Sequence, residues 1–154
     1  MKIRKFKLED TEEIARLVKV TFKKFSKNDG SKKAVETYIN KYNNLEKLKL
    51  KFKDSPIFYI AEDKEKIIGI IRGDENRIGN FFVLEKYQNQ NIGSKLLGKF
   101  EIEAKRKGSK LIRIRSSLYA VPFYQRKGYK KSRGMMVAKN LFGLRYQPMI
   151  KNLE

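Results

Sequence analysis

The chain contains neither cysteine nor histidine. Without cysteine there is no disulfide, no thiolate nucleophile and no cysteine metal site. Without histidine there are no imidazole bases, no serine–histidine triads and little zinc chemistry, so no metal is expected. Acid–base work must fall to Tyr, Glu, Asp, Lys or water, which suits an enzyme that positions its reactants rather than attacking them covalently. Proline is scarce, at Pro56, Pro122 and Pro148 only, and no linker, repeat or low-complexity tract divides the chain. One domain over residues 1–154 is expected, long enough to bury a sizeable core. No apolar run approaches the roughly 18 residues of a bilayer span. The basic start Met1-Lys2-Ile3-Arg4-Lys5-Phe6 lacks the apolar stretch of a secretory signal. A cytoplasmic protein with no membrane association is expected.

Positive charge, by contrast, is abundant: 37 Lys and Arg against 17 Asp and Glu, a net +20. Such a field attracts polyanions and repels cationic macromolecules. It fits a merely solvated Lys-rich surface, and equally a phosphate-bearing ligand, an acidic substrate or non-specifically bound nucleic acid. Apolar residues still make up 40%, and the ten Phe and eight Tyr argue for a packed core rather than disorder.

Periodicity orders the chain. Residues 1–8 read as a strand, and Asp10 or Thr11 can cap a helix carrying Glu12 and Glu13 in its first turn, where acids are favourable. Ile14, Leu17, Val18, Phe22 and Phe25 follow at helical spacing. Asn28-Asp29-Gly30 breaks this helix, and Ser31 can cap a second one with Ala34, Val35, Tyr38, Ile39 and Tyr42 on one face. Residues 45–54 fit a helix or an alternating strand, with the balance towards helix. Residues 57–61 and 66–72 predict strands joined in a hairpin by Glu62-Asp63-Lys64-Glu65. Residues 78–84 predict a further strand, 92–107 a helix stopped by Gly108, 111–115 a strand and 121–127 a short helix. Two last strands are expected near 134–139 and 145–152. This order predicts an α/β fold, a mixed sheet with helices on both faces.

The most informative stretch runs from Phe81 to Leu97. A strand leads into a turn, Glu85-Lys86-Tyr87-Gln88-Asn89-Gln90-Asn91, which opens a helix at Ile92-Gly93-Ser94. The first amides of such a helix are unpaired and lie at the positive end of its dipole, a cradle for an anion. Gly93 permits close approach of a ligand, and Asn91 tolerates a left-handed conformation. By itself the pattern also fits an ordinary strand–helix turn. The second stretch is Ala120-Val121-Pro122-Phe123-Tyr124-Gln125-Arg126-Lys127-Gly128-Tyr129. By itself a Phe-Tyr pair on a short helix is equally a core element.

Together, about 30 residues apart, the two stretches resemble the acyl-coenzyme A motifs of the Gcn5-related N-acetyltransferase (GNAT) family. The first matches an Arg/Gln-x-x-Gly-x-Gly/Ala pattern through Gln88 and Gly93, with Asn91 in place of the first glycine. The second matches Ala-x-x-Phe-Tyr-x-x-x-Gly-Phe/Tyr. The opening strand, the strand pair around Phe58–Ile71 and Gln147–Leu153 extend the likeness over nearly the whole chain, with residues 26–55 the divergent part. The resemblance implies a mostly antiparallel central sheet of about seven strands, the acyl-CoA N-acyltransferase fold. It also implies acetyl-CoA as cosubstrate and a small-molecule or protein amine as acceptor, attacked directly in a ternary complex by a monomer or homodimer.

Carried over residue by residue, the likeness assigns the pyrophosphate to Gln88, Asn89, Gln90, Asn91, Ile92, Gly93 and Ser94, and the pantetheine arm to backbone of Phe82, Val83 and Leu84. Tyr124 would meet the thiol region and protonate the leaving thiolate, a task for a phenol that is neutral near pH 7. Ser117 stands where many members carry Asn. For the general base, Asp74, Glu75 and Glu85 stand near strand ends facing the expected cleft, with Glu62 a further candidate; each equally fits a solvated turn carboxylate, and Glu85 is nominated. Arg113 and Arg115 share one strand face; they fit either stems packed with solvated heads or an acceptor pocket for a carboxylate or phosphate. The rival reading is a non-catalytic module of the same fold that binds acyl-CoA, nucleic acid or both.

Overall fold

The computed structural model describes residues 1–154. In chain order it comprises β1 (Lys2–Lys5), α1 (Thr11–Phe25), α2 (Lys32–Asn40), α3 (Leu45–Lys53), β2 (Ile57–Asp63), β3 (Lys66–Asp74), β4 (Arg77–Val83), α4 (Ile92–Arg106), β5 (Leu111–Ser116), α5 (Val121–Arg126), β6 (Lys130–Lys131), β7 (Met136–Ala138) and β8 (Leu144–Asn152). The sheet runs β1-β2-β3-β4-β5-β8-β6, with β7 pairing β8. Only β4 and β5 pair parallel; every other ladder is antiparallel. No helix is long and apolar enough to cross a membrane.

Strand β2 shows how the sequence sets the layers. Its Ile57-Phe58-Tyr59-Ile60-Ala61 run is buried throughout because both faces are covered, the condition that removes polar alternation from a strand. Ile57, Tyr59 and Ala61 pack with Leu96, Leu97 and Phe100 of α4. Phe58 and Ile60 pack on the other side with Ile14, Leu17 and Val18 of α1 and Leu48 and Phe52 of α3. The hairpin turn is Lys64-Glu65, with φ of 50° and 64°, the left-handed pair that matches strand twist in a two-residue loop. Ser31 caps α2 by accepting from the Ala34 N–H at 3.1 Å.

Three details go beyond the periodicity. Residues 45–53 are helical: Leu48 and Phe52, one turn apart, are buried, while Leu50 is 67% exposed. A strand would have buried Leu50 with them. A two-residue strand, β6, was not foreseen; it consists of two exposed lysines paired to β8, an edge too short and too charged to show a pattern. Finally, β4 and β5 share only two register pairs, Arg77 with Arg113 and Ile78 with Ile114. Beyond Ile78 the strands part, and the opening left in the sheet is where both cavities described below are built.

Candidate active site

Strand β4 uses one edge to pair with β3, where Phe82 stands opposite Ile70 and Val83 opposite Gly69. The Leu84 N–H donates to the Ile68 carbonyl at 2.9 Å. Because backbone groups alternate in direction along a strand, the polar groups of Phe82 turn towards β3 and those of Phe81 and Val83 turn towards the gap beside β5. The Val83 carbonyl accepts from Gln88 Nε2 at 3.0 Å. Of the backbone nominated for a pantetheine arm, only Val83 therefore presents its polar groups to the opening; those of Phe82 serve the sheet, and Leu84 gives its N–H to Ile68 while its carbonyl accepts from the Tyr87 N–H of the turn.

After β4 the chain makes a tight turn at Glu85–Tyr87 and then passes through two left-handed residues, Asn89 (φ 62°) and Asn91 (φ 63°). Asn91 makes no side-chain cap, so it contributes conformation rather than a hydrogen bond. Helix α4 begins immediately after it, and its first internal backbone bond runs from Lys95 N–H to Asn91 carbonyl at 3.0 Å. The amides of Ile92, Gly93 and Ser94 are left without an intrahelical acceptor. At Gly93 an added Cβ would lie 3.5 Å from Phe123 and 3.7 Å from Phe81. That is ordinary contact, so the protein's own packing does not demand glycine here.

These elements enclose a cleft of about 490 Å³. One part is apolar, with Phe81, Val83 and Phe123; the other holds Gln88, Asn91, Gly93, Ser94, Arg126 and Lys127, and no acidic side chain lines it. Amides at a helix start beside two cations suit a pyrophosphate, and the apolar part suits an extended arm. The residues therefore fit coenzyme A. Tyr119, not foreseen from the sequence, steadies the turn by donating its hydroxyl to Gln88 Oε1 at 3.2 Å. Arg126 and Lys127 also line the cleft without having been singled out, although they stand inside the Phe-Tyr stretch.

Val83, Gln88, Asn89, Asn91, Gly93, Ser94 and Tyr124 thus share one cleft. Gln90 is exposed and spends its side-chain amide on the Lys86 carbonyl. The Ile92 side chain is core, packed beneath α4. Phe82 and Ser117 line a second cavity, of about 350 Å³, on the other side of Tyr124. Glu85 lines neither; its carboxylate lies on the surface, 3.6 Å from Lys24 Nζ. Glu62 is held by Arg4 at 2.9 Å, and Arg113 lines neither cavity while Arg115 lines the second.

Phe81, Ala120 and Tyr124 belong to both cavities, so Tyr124 forms their shared wall. Its ring is 4% exposed and packs edge-on against Phe123 and Tyr129, with centroids 5.5 and 5.4 Å away. Burial alone raises its ionisation above the usual phenol value, with no hydrogen-bonding neighbour contributing. The hydroxyl is nevertheless not among the enclosed polar atoms that lack a partner; it opens onto cavity space. The result is a neutral, unengaged O–H group between two pockets.

The second cavity draws on distant parts of the chain: Ser26 and Asp29 after α1, Tyr38 of α2, Lys51 of α3, Asn80 of β4 and Tyr146 of β8 line it. Behind it lies a buried polar chain. Arg72 Nε donates to Asn80 Oδ1 at 2.7 Å, and Asn80 Nδ2 donates to the Tyr42 hydroxyl at 2.9 Å. Asp29 ties the turn after α1 to the loop before α5, its carboxylate accepting from the Leu118 N–H at 3.3 Å. The sequence offered Phe82, Arg115 and Ser117 singly, but not the cavity, because its residues come together only through the sheet.

Comparison with known proteins agrees with this fold. A family model described as an acetyltransferase (GNAT) domain matches residues 26–153, including the stretch 26–55 that looks divergent in sequence. No curated protein sequence matches. Among solved structures, a GCN5-related N-acetyltransferase from Rhodopseudomonas palustris superposes with a TM-score of 0.90 at 18% identity, covering 98% of this chain and 94% of that one. The PaiA N-acetyltransferase of Thermoplasma acidophilum, solved in complex with coenzyme A, gives 0.80 at 21% identity, covering 98% of each chain. An aminoglycoside 6'-N-acetyltransferase from Enterococcus faecium gives 0.73 at 15% identity over 100% of this chain and 98% of that one. At such identities the superpositions speak for the fold, and the family match for descent: this chain belongs to the GNAT acetyltransferase family.

Proposed function

We propose that this protein transfers the acetyl group of acetyl-coenzyme A to an amine bound in the second cavity, by direct attack within a ternary complex. The observation that carries the reading is the Tyr124 hydroxyl, unengaged and neutral, at the one wall common to a phosphate-ready cleft and a separate pocket. The coenzyme A complex of the Thermoplasma structural neighbour supports the assignment of the first cleft.

Acetyl-coenzyme A supplies a thioester whose carbonyl carbon is open to a neutral amine. The amides of Gly93 and Ser94 with Arg126 and Lys127 hold the diphosphate, and Val83 backbone with Phe81 and Phe123 orients the arm. The acceptor nitrogen forms the new C–N bond as the C–S bond breaks, and Tyr124 gives its proton to the departing sulfur. Water in the open cavities returns a proton to Tyr124 and takes one from the amine. Glu85 has no part in this scheme because it lines neither cavity. The sole carboxylate of the acceptor cavity, Asp29, is occupied with Leu118.

The test is free-thiol release from acetyl-coenzyme A over a panel of primary amines, with coenzyme A binding measured in parallel. Amine-dependent release is expected. Tight coenzyme A binding without release from any amine would instead indicate a binding module of the same fold.

A further inference from the structure

The charge of the acceptor cavity is lopsided. Four cationic side chains line it, Lys41, Lys51, Arg115 and Arg145, against the single carboxylate of Asp29. None of the four takes part in a salt bridge. Arg145 is spoken for, since its guanidinium donates to the Asn28 and Asp29 carbonyls that end the α1 region. The side-chain nitrogens of Lys41, Lys51 and Arg115 make no hydrogen bond to the protein. Arg115 is also preorganised: its guanidinium lies over the Tyr146 ring, 5.2 Å from the centroid, leaving its donors free. A fifth cation stands behind the wall. Arg72 is buried, bonds only to the neutral oxygens of Asn80 and Ser55, and has no carboxylate partner.

An unpaired buried guanidinium is costly, and free cations converging on one concave surface repel one another. Lys51 registers this crowding: desolvation, then Arg72, then Lys41 hold its ammonium below the usual lysine value, although the residue reaches the surface. A ligand with negative charge relieves this repulsion, whereas a polycation adds to it. At about 350 Å³ the cavity stands near the low end of small-molecule sites, roughly 300 to 1,000 Å³, so the anion belongs to a small acceptor.

We infer that the acceptor is a small amine that also carries an anionic group, a carboxylate or phosphate, held by Arg115 with Lys51 and Lys41 while its amine faces Tyr124. The inference rests on the acetyltransferase reading of this cavity, and it names the substrate class. The planar fork of Arg115 matches either oxyanion, and the lysines add point charge.

The experiment uses four acceptors of matched chain length: an ω-amino carboxylate, an aminoalkyl phosphate, the plain alkylamine and the diamine. For each, thiol release from acetyl-coenzyme A is followed, and binding to the protein with coenzyme A present is measured by calorimetry. The anionic acceptors should exceed the alkylamine at least tenfold in kcat/KM, with the diamine poorest, and the better of the two anions identifies the oxyanion. Arg115→Gln and Lys51→Gln should each shrink that advantage several-fold, mainly through KM, and raised salt should shrink it further. Should the tighter-binding oxyanion show no loss of affinity in either variant, Arg115 and Lys51 are not its site and the inference falls. Turnover with equal or better use of the diamine also overturns it, while leaving the acetyltransferase reading intact. Selective binding of the anionic compounds with no thiol release upholds the anion site and overturns the reaction.

Discussion

Replacing Tyr124 by Phe removes one oxygen and leaves the ring. The edge-on contacts with Phe81, Phe123 and Tyr129, at centroid separations of 6.1, 5.5 and 5.4 Å, belong to the ring and survive. The hydroxyl has no protein partner to lose, so stability should stay within about 0.5 kcal/mol of wild type. Catalysis should not. Acid–base groups contribute roughly 10²- to 10⁴-fold, and water in the open cavities can replace part of that. A loss in kcat of roughly ten- to a thousand-fold is expected, about 1.4 to 4.1 kcal/mol at 1.36 kcal/mol per decade. Coenzyme A affinity should change little, because the groups proposed to hold the diphosphate are untouched. The assay is single-turnover thiol release, which isolates chemistry from product release, beside thermal melting and coenzyme A titration. Equal single-turnover rates in the two proteins would remove Tyr124 from the mechanism. A large fall in melting temperature would refute the view that its hydroxyl is unengaged.

At Gly93 the protein has room for a methyl group, so Gly93→Ala should keep or slightly raise the melting temperature through helix propensity while weakening coenzyme A about tenfold. Gly93→Val should abolish the ligand-induced rise in melting temperature, and Asn91→Gly should preserve it; a Gly93→Val protein that still binds coenzyme A would place the phosphates elsewhere. Glu85→Gln should lower turnover less than twofold, and the pH profile should follow the ionisation of the acceptor amine, so a large loss would restore Glu85 as the base. Arg4 joins β1 to Asp10 at 2.8 and 2.9 Å and to Glu62 at 2.9 Å, and Arg4→Ala should cost about 2 to 3 kcal/mol by leaving a buried carboxylate short of partners. Burial by itself would raise the Asp10 carboxyl, but hydrogen bonds from Arg4 and from the Lys7 N–H outweigh it and hold it below its usual value. The stability this confers is present above the unfolded value of about 4 and is lost as pH falls through the lower folded value. Urea melts from pH 6 to pH 2 should therefore converge for wild type and Arg4→Ala at the acid end; a constant gap would assign Arg4 a purely packing role.

Local rules were enough for much of this molecule. Ser31 as a cap, Asn91 in a left-handed turn and the apolar runs of β2 and β3 are decided by neighbours in sequence, because capping, backbone sterics and alternation act over a few residues. The cleft proposed for the diphosphate belongs to the same class: its turn, its glycine and its helix start are contiguous from Gln88 to Ser94, so one stretch carries the signal. Residues 45–53 mark the limit, since their pattern fitted two periods and only burial of Leu48 and Phe52 with exposure of Leu50 separated them. Glu85 shows what proximity in sequence conceals. It stands one residue beyond Leu84, the last residue nominated for the pantetheine arm, yet the turn carries its side chain out to Lys24. Of the second cavity the sequence offered single residues, with Arg115 weighed as an oxyanion group, but not the assembly, because Lys51, Arg115 and Tyr146 come from α3, β5 and β8 and meet only where β4 and β5 part. Local chemistry thus determined where an anion could be held. Long-range sheet pairing decided what stands opposite it, because burial and charge crowding are properties of the assembled layers and not of any one segment.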